Sequence, residues 1–312
     1  MATPIQNIAL VGANGNLGSV ILHTLFQHSP AYTITVLQRA SSTRPPPPHP
    51  VKTISISDAW TTAELTAALA GQHAVIAAFP LRNVEDHLRL ADAAAAAGSV
   101  RRFIPADYGS VDARSPRARA LVPLFERKVI VRERLEVLAA ESKTGFSWTS
   151  LVTGHFFDWG LGNGFLNFWI KERRAVILGD GTQRSSAGTL GRVAEAVVRV
   201  LERLEETRDR VLMVQSFCVS QRDVLAALER ALLRRGGKPW DVEVVDVDGF
   251  IEKHKRLAEQ GDKGSVEELV FALGVVEGDW EDKEDFAMGL LGLEDEDLDE
   301  VVERVVGEMG LA

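Results

Sequence analysis

The sequence has one cysteine, two tyrosines and no long apolar run, and each shortage excludes a class of protein. Since Cys218 is alone, no intramolecular disulfide can form and a structural zinc site is not expected, which indicates a reducing compartment. No run approaches the roughly 18 apolar residues of a membrane span, and the N-terminal residues lack the pattern of a secretory signal. We therefore expect a soluble, cytoplasmic protein that does not contact a membrane.

Positive charge is scarce at the C-terminal end. The net charge is −9, yet residues 277–312 hold 14 acidic side chains against only Lys283 and Arg304. Apolar residues recur among these acids at helical spacing, so the acids are predicted to form the solvated face of a terminal helix. Basic residues elsewhere are scattered and the common nucleic-acid-binding motifs are absent, so no nucleic-acid partner is expected.

What is present in the first 150 residues is an alternation of short β-branched runs with longer amphipathic or Ala-rich segments. This alternation predicts an α/β fold of the Rossmann type, with a doubly wound parallel sheet. The predicted strands are residues 7–11, 32–37, 52–56, 74–78, 102–105 and 147–152, and the predicted helices are residues 17–26, 62–69, 84–97 and 123–141. The prolines of residues 41–50 lack backbone N–H donors, so this segment is predicted to form a surface loop after the second strand.

The pattern loosens after Thr153, where a segment rich in Gly, Phe and Trp begins. Further along, the sequence predicts a strand in 175–181, a helix with Thr189 as its N-cap, a strand at 211–215, a helix from about Ser220, a strand at 242–247 and terminal helices. We predict a cofactor-binding domain over residues 1–155 and a smaller α+β substrate lobe over residues 156–312. Elements between about 186 and 220 are candidates to return to the first domain.

The clearest motif is IALVGANGNLGS, a G-x-x-G-x-x-G sequence that directly follows a predicted strand and runs into a predicted helix. The first glycine permits a tight turn, the second lets the backbone approach a pyrophosphate, and the third lets the helix pack closely on the strand. The helix N-terminus adds free N–H groups and a positive dipole end. The alternative is a merely structural turn. The predicted cofactor-binding residues here are Gly12, Asn14, Gly15, Asn16, Leu17 and Gly18.

The end of the second strand indicates which dinucleotide binds. Chains that bind NAD usually place an acidic residue there, whereas this sequence has Gln38 and Arg39. Arg39, helped by Ser41 and by Arg44 as a weaker candidate, would attract and hydrogen-bond a 2′-phosphate that a carboxylate would repel. NADP(H) is therefore the predicted cofactor. The alternative for Arg39 and Arg44 is an ordinary exposed loop arginine.

The two tyrosines exclude one common catalytic arrangement. Short-chain reductases use Tyr-x-x-x-Lys, but Tyr32 is followed four residues later by Val36 and Tyr108 by Asp112. Hydride chemistry must therefore use another proton donor, or the protein binds the cofactor without turning it over.

Four segments occur together in the order and spacing of a known family. They are the glycine turn, VRRFIPADYGS (100–110), FERKVIVRERLE (125–136) and WTSLVTGHFFDWGL (148–161). Over roughly residues 5–200 the chain resembles the isoflavone-reductase-like, or NmrA-like, atypical short-chain reductases, and it is most similar to their fungal type. The resemblance implies a Rossmann domain that binds NADP and a smaller C-terminal substrate lobe.

The resemblance also implies the catalytic residue. In plant reductases of this family a helical lysine in the pattern F-x-x-K-x-x-V-R-x-x-I-E is the general acid/base, and Lys128 occupies that position here. Burial beside a cleft would lower the pKa of such a lysine toward the working pH. The alternative is a lysine on the helix surface.

Other candidate site residues follow the ends of the predicted strands. The family's frequent Pro-Ser-Glu-Phe-Gly is here Pro-Ala-Asp-Tyr-Gly, so Tyr108 is either a second proton donor or a strand-end aromatic with its hydroxyl in water. His155 is either a catalytic or substrate contact or a structural hydrogen-bonding residue. The residues expected to shape the nicotinamide pocket are Thr153, Gly154 and Phe156, and those expected beside adenosine and pyrophosphate are Ala78, Phe79 and Pro80.

An aromatic cluster suits either a pocket for a planar ligand or the core between two lobes, and we favour the core. Its members are Phe156, Phe157, Trp159, Phe165, Phe168 and Trp169. The leading hypothesis is an NADPH-dependent oxidoreductase of secondary metabolism that acts on a small aromatic or polycyclic substrate. The alternatives are an enzyme that couples a redox step to cyclisation and a non-catalytic regulator that senses NADP(H). The sequence predicts no oligomeric state and no metal.

Overall fold

The computed structural model describes residues 4–28, 31–45, 47–233 and 239–311. Thirteen strands are present in these ranges: β1 (Asn7–Val11), β2 (Thr33–Arg39), β3 (Lys52–Ile56), β4 (Ala74–Ala77), β5 (Arg102–Ile104), β6 (Thr149–Val152), β7 (His155–Phe156), β8 (Phe168–Trp169), β9 (Arg174–Leu178), β10 (Arg184–Gly188), β11 (Arg210–Met213), β12 (Phe217–Ser220) and β13 (Asp241–Val245). Twelve helices accompany them: α1 (Asn16–Gln27), α2 (Thr62–Ala68), α3 (Val84–Ala96), α4 (Pro116–Leu121), α5 (Pro123–Glu141), α6 (Phe157–Asn163), α7 (Leu190–Glu202), α8 (Gln221–Leu232), α9 (Val247–Glu259), α10 (Lys263–Glu277), α11 (Met288–Leu291) and α12 (Leu298–Glu308).

The central sheet is parallel, in the order β3-β2-β1-β4-β5. Phe103 on β5 forms a parallel bridge with Trp148, next to β6, and β6 pairs in parallel with β11. The pairing therefore continues from β5 through β6 to β11. The predicted α/β class with a doubly wound parallel sheet is confirmed, since the strand order reverses direction between β1 and β4.

Strand β1 shows why the sheet is covered on both faces. Ile8 and Leu10 share one buried cluster with α1 and α7, whereas Ala9 and Val11 share another with α2, α3 and α5. Successive side chains of a strand point to opposite faces, and all four of these residues are buried. A run that is apolar at every position is therefore what a strand between two helical layers requires.

The C-terminal part contributes two smaller sheets, in the orders β13-β9-β8 and β12-β10-β7. They share a third buried cluster with α4, α6, α8, α9, α10 and α12. By contrast, α7 packs on α1 and β11 pairs with β6, so these two elements lie with the central sheet. The division into domains at residues 1–155 and 156–312 stays a prediction.

Local capping chemistry starts the later helices where the sequence predicts them. The Thr189 side chain accepts a hydrogen bond from the Arg192 amide at the start of α7, and Ser220 forms a capping box with Asp223 at the start of α8. Helix α12 buries its valines and leaves its acids toward solvent, as predicted. Residues 41–45 and 47–50 form neither helix nor strand, whereas Pro46 lies outside the described residues.

Within the part of the chain that the structure describes, no helix combines the length and the apolar character that a membrane span needs.

Candidate active site

The glycine turn joins β1 to α1 with very little space around it. Gly12 has a φ of +92°, and a Cβ there would lie 2.4 Å from the Ala78 carbonyl oxygen. A Cβ on Gly18 would lie 2.0 Å from the Gly12 carbonyl oxygen. Gly15 is the N-cap of α1 and provides no side-chain cap, so the first N–H groups of this helix remain available to an anion.

A cleft of about 360 Å³ lies in front of this turn. It is lined by residues at or after the ends of β1, β2, β3 and β4, including Gly12, Ala13, Asn14, Gly15, Gln38, Arg39, Ser41, Ser42, Arg44, Trp60, Ala78, Phe79 and Pro80. Three of the cofactor residues predicted in the glycine turn do not line it. Leu17 is buried in the core, Gly18 packs against the Gly12 carbonyl, and Asn16 is the first residue of α1. Because the glycines form a close-fitting backbone cradle at a helix N-terminus, the cleft fits a dinucleotide.

Arg39 and Ser41 lie at the cleft, as predicted, but both have acidic partners that the sequence analysis did not foresee. The Arg39 guanidinium lies 2.7 Å from the Asp86 carboxylate and 4.6 Å from the centre of the Trp60 ring. The Ser41 hydroxyl donates to the Asp58 carboxylate over 2.5 Å. The positive charge offered to a 2′-phosphate is therefore reduced by a carboxylate at the same strand end.

Lys128 lies on the buried side of α5, with 7% of its surface exposed. It lines a second cavity of about 170 Å³, whose other walls come from the segments after β5 and β6, from α5, from α6 and the residues after it, and from α10. The lining residues are Tyr108, Gly109, Ser110, Leu124, Phe125, Gly154, His155, Phe156, Trp159, Phe165 and Val270. The ends of β5 and β6 stand beside those of β1 and β4 in the central sheet, so this cavity and the larger cleft lie along one edge.

A buried cluster of charges surrounds Lys128. Its Nζ atom lies 3.6 Å from Oδ1 of Asp107, and Arg132, one turn further along α5, donates to Asp107 and to Asp112. Ser150 donates to Asp107 over 2.5 Å. The sequence analysis did not identify Asp107 as a partner of Lys128. The signal was Arg132, because an arginine buried on the same helix needs a carboxylate nearby.

The pKa values of this cluster follow from burial and from the neighbouring charges. Burial lowers the pKa of Lys128, the Asp107 carboxylate opposes this, and Arg132 adds to the lowering, so the net shift is downward. Burial raises the pKa of Asp107, but the charges of Arg132 and Lys128, together with hydrogen bonds from Ser150 and Arg132, outweigh burial and lower it. Asp107 therefore remains ionised in the folded protein.

Tyr108 departs from one expectation. Its hydroxyl is not in water: the oxygen is buried and has no hydrogen-bond partner among the residues that the structure describes. Burial, followed by the charge of Asp107, raises the pKa of this phenol, so it stays protonated. The residue also has a φ of 37°, which is unusual for a side chain of this size.

The His155 imidazole forms part of the cavity wall. Its Nε2 atom lies 3.3 Å from the Val270 carbonyl oxygen, and its ring stacks on Phe271 at 5.8 Å between centres. A Cβ on Gly274 would lie 2.2 Å from this ring, so only glycine leaves it enough room. Burial lowers the pKa of His155 to about 4. The imidazole is therefore neutral near pH 7, which suits a hydrogen-bonding wall residue.

The residues after β6 divide between cavity and core. Gly154 lines the cavity with a φ of +71°, and Phe156 lines it beside Trp159. Thr153 is fully buried and its side chain does not line the cavity, so its expected contribution to the nicotinamide pocket stays a prediction. Within the aromatic cluster Phe156, Trp159 and Phe165 line the cavity, Phe157 and Phe168 belong to the core, and the Trp169 ring stacks against Arg174.

Comparisons with known proteins agree with this architecture. Residues 4–159 match the model of the NmrA-like family. A protein of Aspergillus flavus called oxidoreductase aprR is 34% identical over 307 residues, covering 96% of this chain and 98% of that protein. The name of that protein agrees with the oxidoreductase class predicted for this chain.

Solved structures with low sequence identity share the fold. A structure described as AtPrR2 with NADP+ and (+)pinoresinol superposes with a TM-score of 0.73 at 17% identity. The superposition covers 98% of this chain and 100% of that chain. An isoflavone reductase superposes with a TM-score of 0.73 at 19% identity, covering 97% of this chain and 99% of its own. Together with the family match over half of the sequence, these findings confirm the predicted resemblance, and the chain belongs to the NmrA-like family.

Proposed function

We propose that this protein is an NADPH-dependent reductase of a small aromatic or polycyclic molecule, with Lys128 as the general acid/base. The observation that carries the proposal is the placement of two cavities on one edge of a parallel sheet. One has the glycine turn expected of a dinucleotide site, and the other has a buried lysine. In open α/β sheets, ligands bind at this carboxyl edge.

NADP(H) is supported as the cofactor by the cradle around Gly12 and by Arg39 at the end of β2. When bound, NADPH supplies the hydride. Asn14, Gly15 and the first N–H groups of α1 would hold the pyrophosphate, and Ala78 to Pro80 would flank it on the β4 side. Gly154 and Phe156 would border the nicotinamide end, since they follow β6 at the same edge.

The contribution of the protein to chemistry would be proton transfer and positioning. When a substrate carbon accepts a hydride, negative charge develops on the neighbouring atom, and the Lys128 ammonium would donate a proton to that atom. The neutral amine would then regain a proton from water. His155 and Tyr108 would act as hydrogen-bonding wall residues, because one is neutral near pH 7 and the other retains its proton.

The substrate class is inferred from the cavity wall. Rings of Phe125, Phe156, Trp159 and Phe165 surround a space of about 170 Å³, and Trp159 is 40% exposed at its edge. Flat aromatic ligands stack favourably on such rings. The polar groups of this wall are few, and a ligand oxygen near Lys128 would be fixed by the ammonium.

The direct test is turnover with a panel of aromatic ketones, enones and quinones, with NADPH consumption and product identity measured together. The proposal predicts one equivalent of NADPH consumed per reduced product. A redox-coupled cyclisation would instead give a ring-closed product with different stoichiometry. No turnover, combined with a protein partner whose binding depends on the NADPH/NADP+ ratio, would favour the regulator and overturn the proposal.

A further inference from the structure

We propose that Asp107 is a positioning residue for Lys128, which holds its side chain at the cavity wall in the ammonium form so that it serves as a proton donor. This inference deepens the proposed function and rests on it for the chemical role of Lys128. The ion pair itself can be tested without any substrate.

The two oxygens of Asp107 have different partners. Oδ2 accepts hydrogen bonds from Arg132 Nε and from the Ser150 hydroxyl. Oδ1 is buried, has no hydrogen-bond partner among the described residues, and lies 3.6 Å from Lys128 Nζ. One oxygen therefore fixes the carboxylate, while the other is directed at the lysine. A group that served only to anchor Arg132 would not leave a buried oxygen in this position.

Other groups around Lys128 cannot replace this charge. On its own helix Arg132 is a cation, and Asp112 pairs with Arg132. His155 of β7 and Tyr108 of the loop after β5 share the cavity wall, and both are neutral near pH 7. His87 of α3 borders the small space beside Asp107 and Lys128, and burial lowers its pKa to about 4. In the described part of the chain, Asp107 is the carboxylate within ion-pair distance of Lys128.

The separation leaves the ammonium free for a ligand. At 3.6 Å the pair is longer than a normal hydrogen bond, so the attraction is mainly between charges. A Cβ on Gly109 would lie 3.2 Å from Nζ, and the ring of Phe125 lies 5.2 Å from it. Asp107, Gly109 and Phe125 therefore confine the ammonium on several sides, while Lys128 also lines the cavity. An opposite charge at this distance favours the charged form of a buried lysine.

The experiment measures the charge of Lys128 directly. The full chain is produced with lysine enriched in carbon-13 at Cε, and the Cε shifts are followed by NMR as a function of pH. The Lys128 signal is assigned by its loss in Lys128→Arg. The same titration is then made with Asp107→Asn, which removes the charge at nearly constant shape. Asp112→Asn is the matched control. It removes another carboxylate of the same cluster, and that carboxylate contacts Arg132 rather than Lys128.

We expect the wild-type lysine to be protonated at about pH 7 and its midpoint to fall by about 1 to 3 pH units in Asp107→Asn. Asp112→Asn should leave the midpoint close to the wild-type value. An unchanged midpoint in Asp107→Asn would overturn the proposal. If that variant does not fold, the wild-type titration decides: a lysine already neutral at about pH 7 would show that Asp107 does not hold the ammonium form. These outcomes are independent of whether a substrate is reduced.

Discussion

The Asp86 carboxylate lies 2.7 Å from the guanidinium of Arg39. Arg39 is at the end of β2, where the 2′-hydroxyl of NADH or the 2′-phosphate of NADPH is expected to lie. The backbone carbonyl of the same aspartate accepts a hydrogen bond from the Trp60 indole, whose ring lies beside the guanidinium. Asp86 thus both orients Arg39 and reduces its net charge. Selectivity between NADPH and NADH should therefore depend on Asp86 as well as on Arg39.

Asp86→Asn is expected to increase the preference for NADPH over NADH several-fold, because a partly exposed ion pair contributes up to about 1 kcal/mol. The ratio of the two dissociation constants, measured by calorimetry, gives the result. Asp92→Asn is the control, since Asp92 pairs at the same 2.7 Å with Arg134, which does not line the cleft. An unchanged ratio would show that Arg39 does not bind the 2′-phosphate.

Gly12→Ala should abolish NADPH binding. A methyl group there would meet the Ala78 carbonyl oxygen at 2.4 Å, and a φ of +92° is strained for alanine. Gly289→Ala serves as the comparison, since a Cβ at that helical position meets no atom within 4 Å. Titration of both variants with NADPH, after circular dichroism has shown that they fold, checks the prediction. Wild-type affinity in Gly12→Ala would refute the proposed cradle.

Tyr108→Phe should not destabilise the protein, and removal of a buried hydroxyl without a partner should stabilise it by up to about 1 kcal/mol. Urea unfolding measures this difference, with Tyr32→Phe as the comparison at the other tyrosine. The same variant should bind an aromatic substrate more weakly if the hydroxyl is a ligand contact. A clear loss of stability would mean that the hydroxyl has a partner in the free protein.

Acid should destabilise the fold through its buried histidines. Burial lowers the pKa of His87 and His155 to about 4, below the usual 6.5, so the unfolded chain binds more protons between these values. The contribution of each histidine to the free energy of unfolding is complete above about pH 6.5. It falls by about 3 kcal/mol for each histidine as the pH is lowered toward 4. His87→Gln should remove about half of this loss in urea unfolding at several pH values. A pH dependence equal to that of the wild type would contradict this assignment.

Local patterns were sufficient to predict much of the fold. The six strands expected in residues 7–152 occur within about two residues of their predicted bounds, and the helices of that region coincide with α1, α2, α3 and α5. These elements are marked by features that act over a few residues, such as β-branched runs, caps and prolines. The two-residue strands β7 and β8 and the short helix α4 were not predicted, because they carry no periodic signal of their own.

The sequence was sufficient to predict which residues line the site, but not which acidic residues pair with them. The family pattern identified Lys128, and the glycine turn identified the cleft. The acidic partners were missed because pairing depends on folding: Asp86 lies 47 residues from Arg39 in the sequence, and Asp107 lies on a loop after β5. The same limit explains why one of the two expectations for Tyr108, a hydroxyl in water, differs from its buried position.

Proton donation by Lys128 is tested by comparing wild-type protein with Lys128→Met in single-turnover NADPH oxidation, with an acceptor taken from the aromatic panel. Methionine has similar length and no exchangeable proton. If Lys128 donates the proton, Lys128→Met binds NADPH with an unchanged dissociation constant and loses about 10²-fold or more in the rate of reduction. If the variant binds NADPH normally and reduces the acceptor at the wild-type rate, Lys128 is not the proton donor.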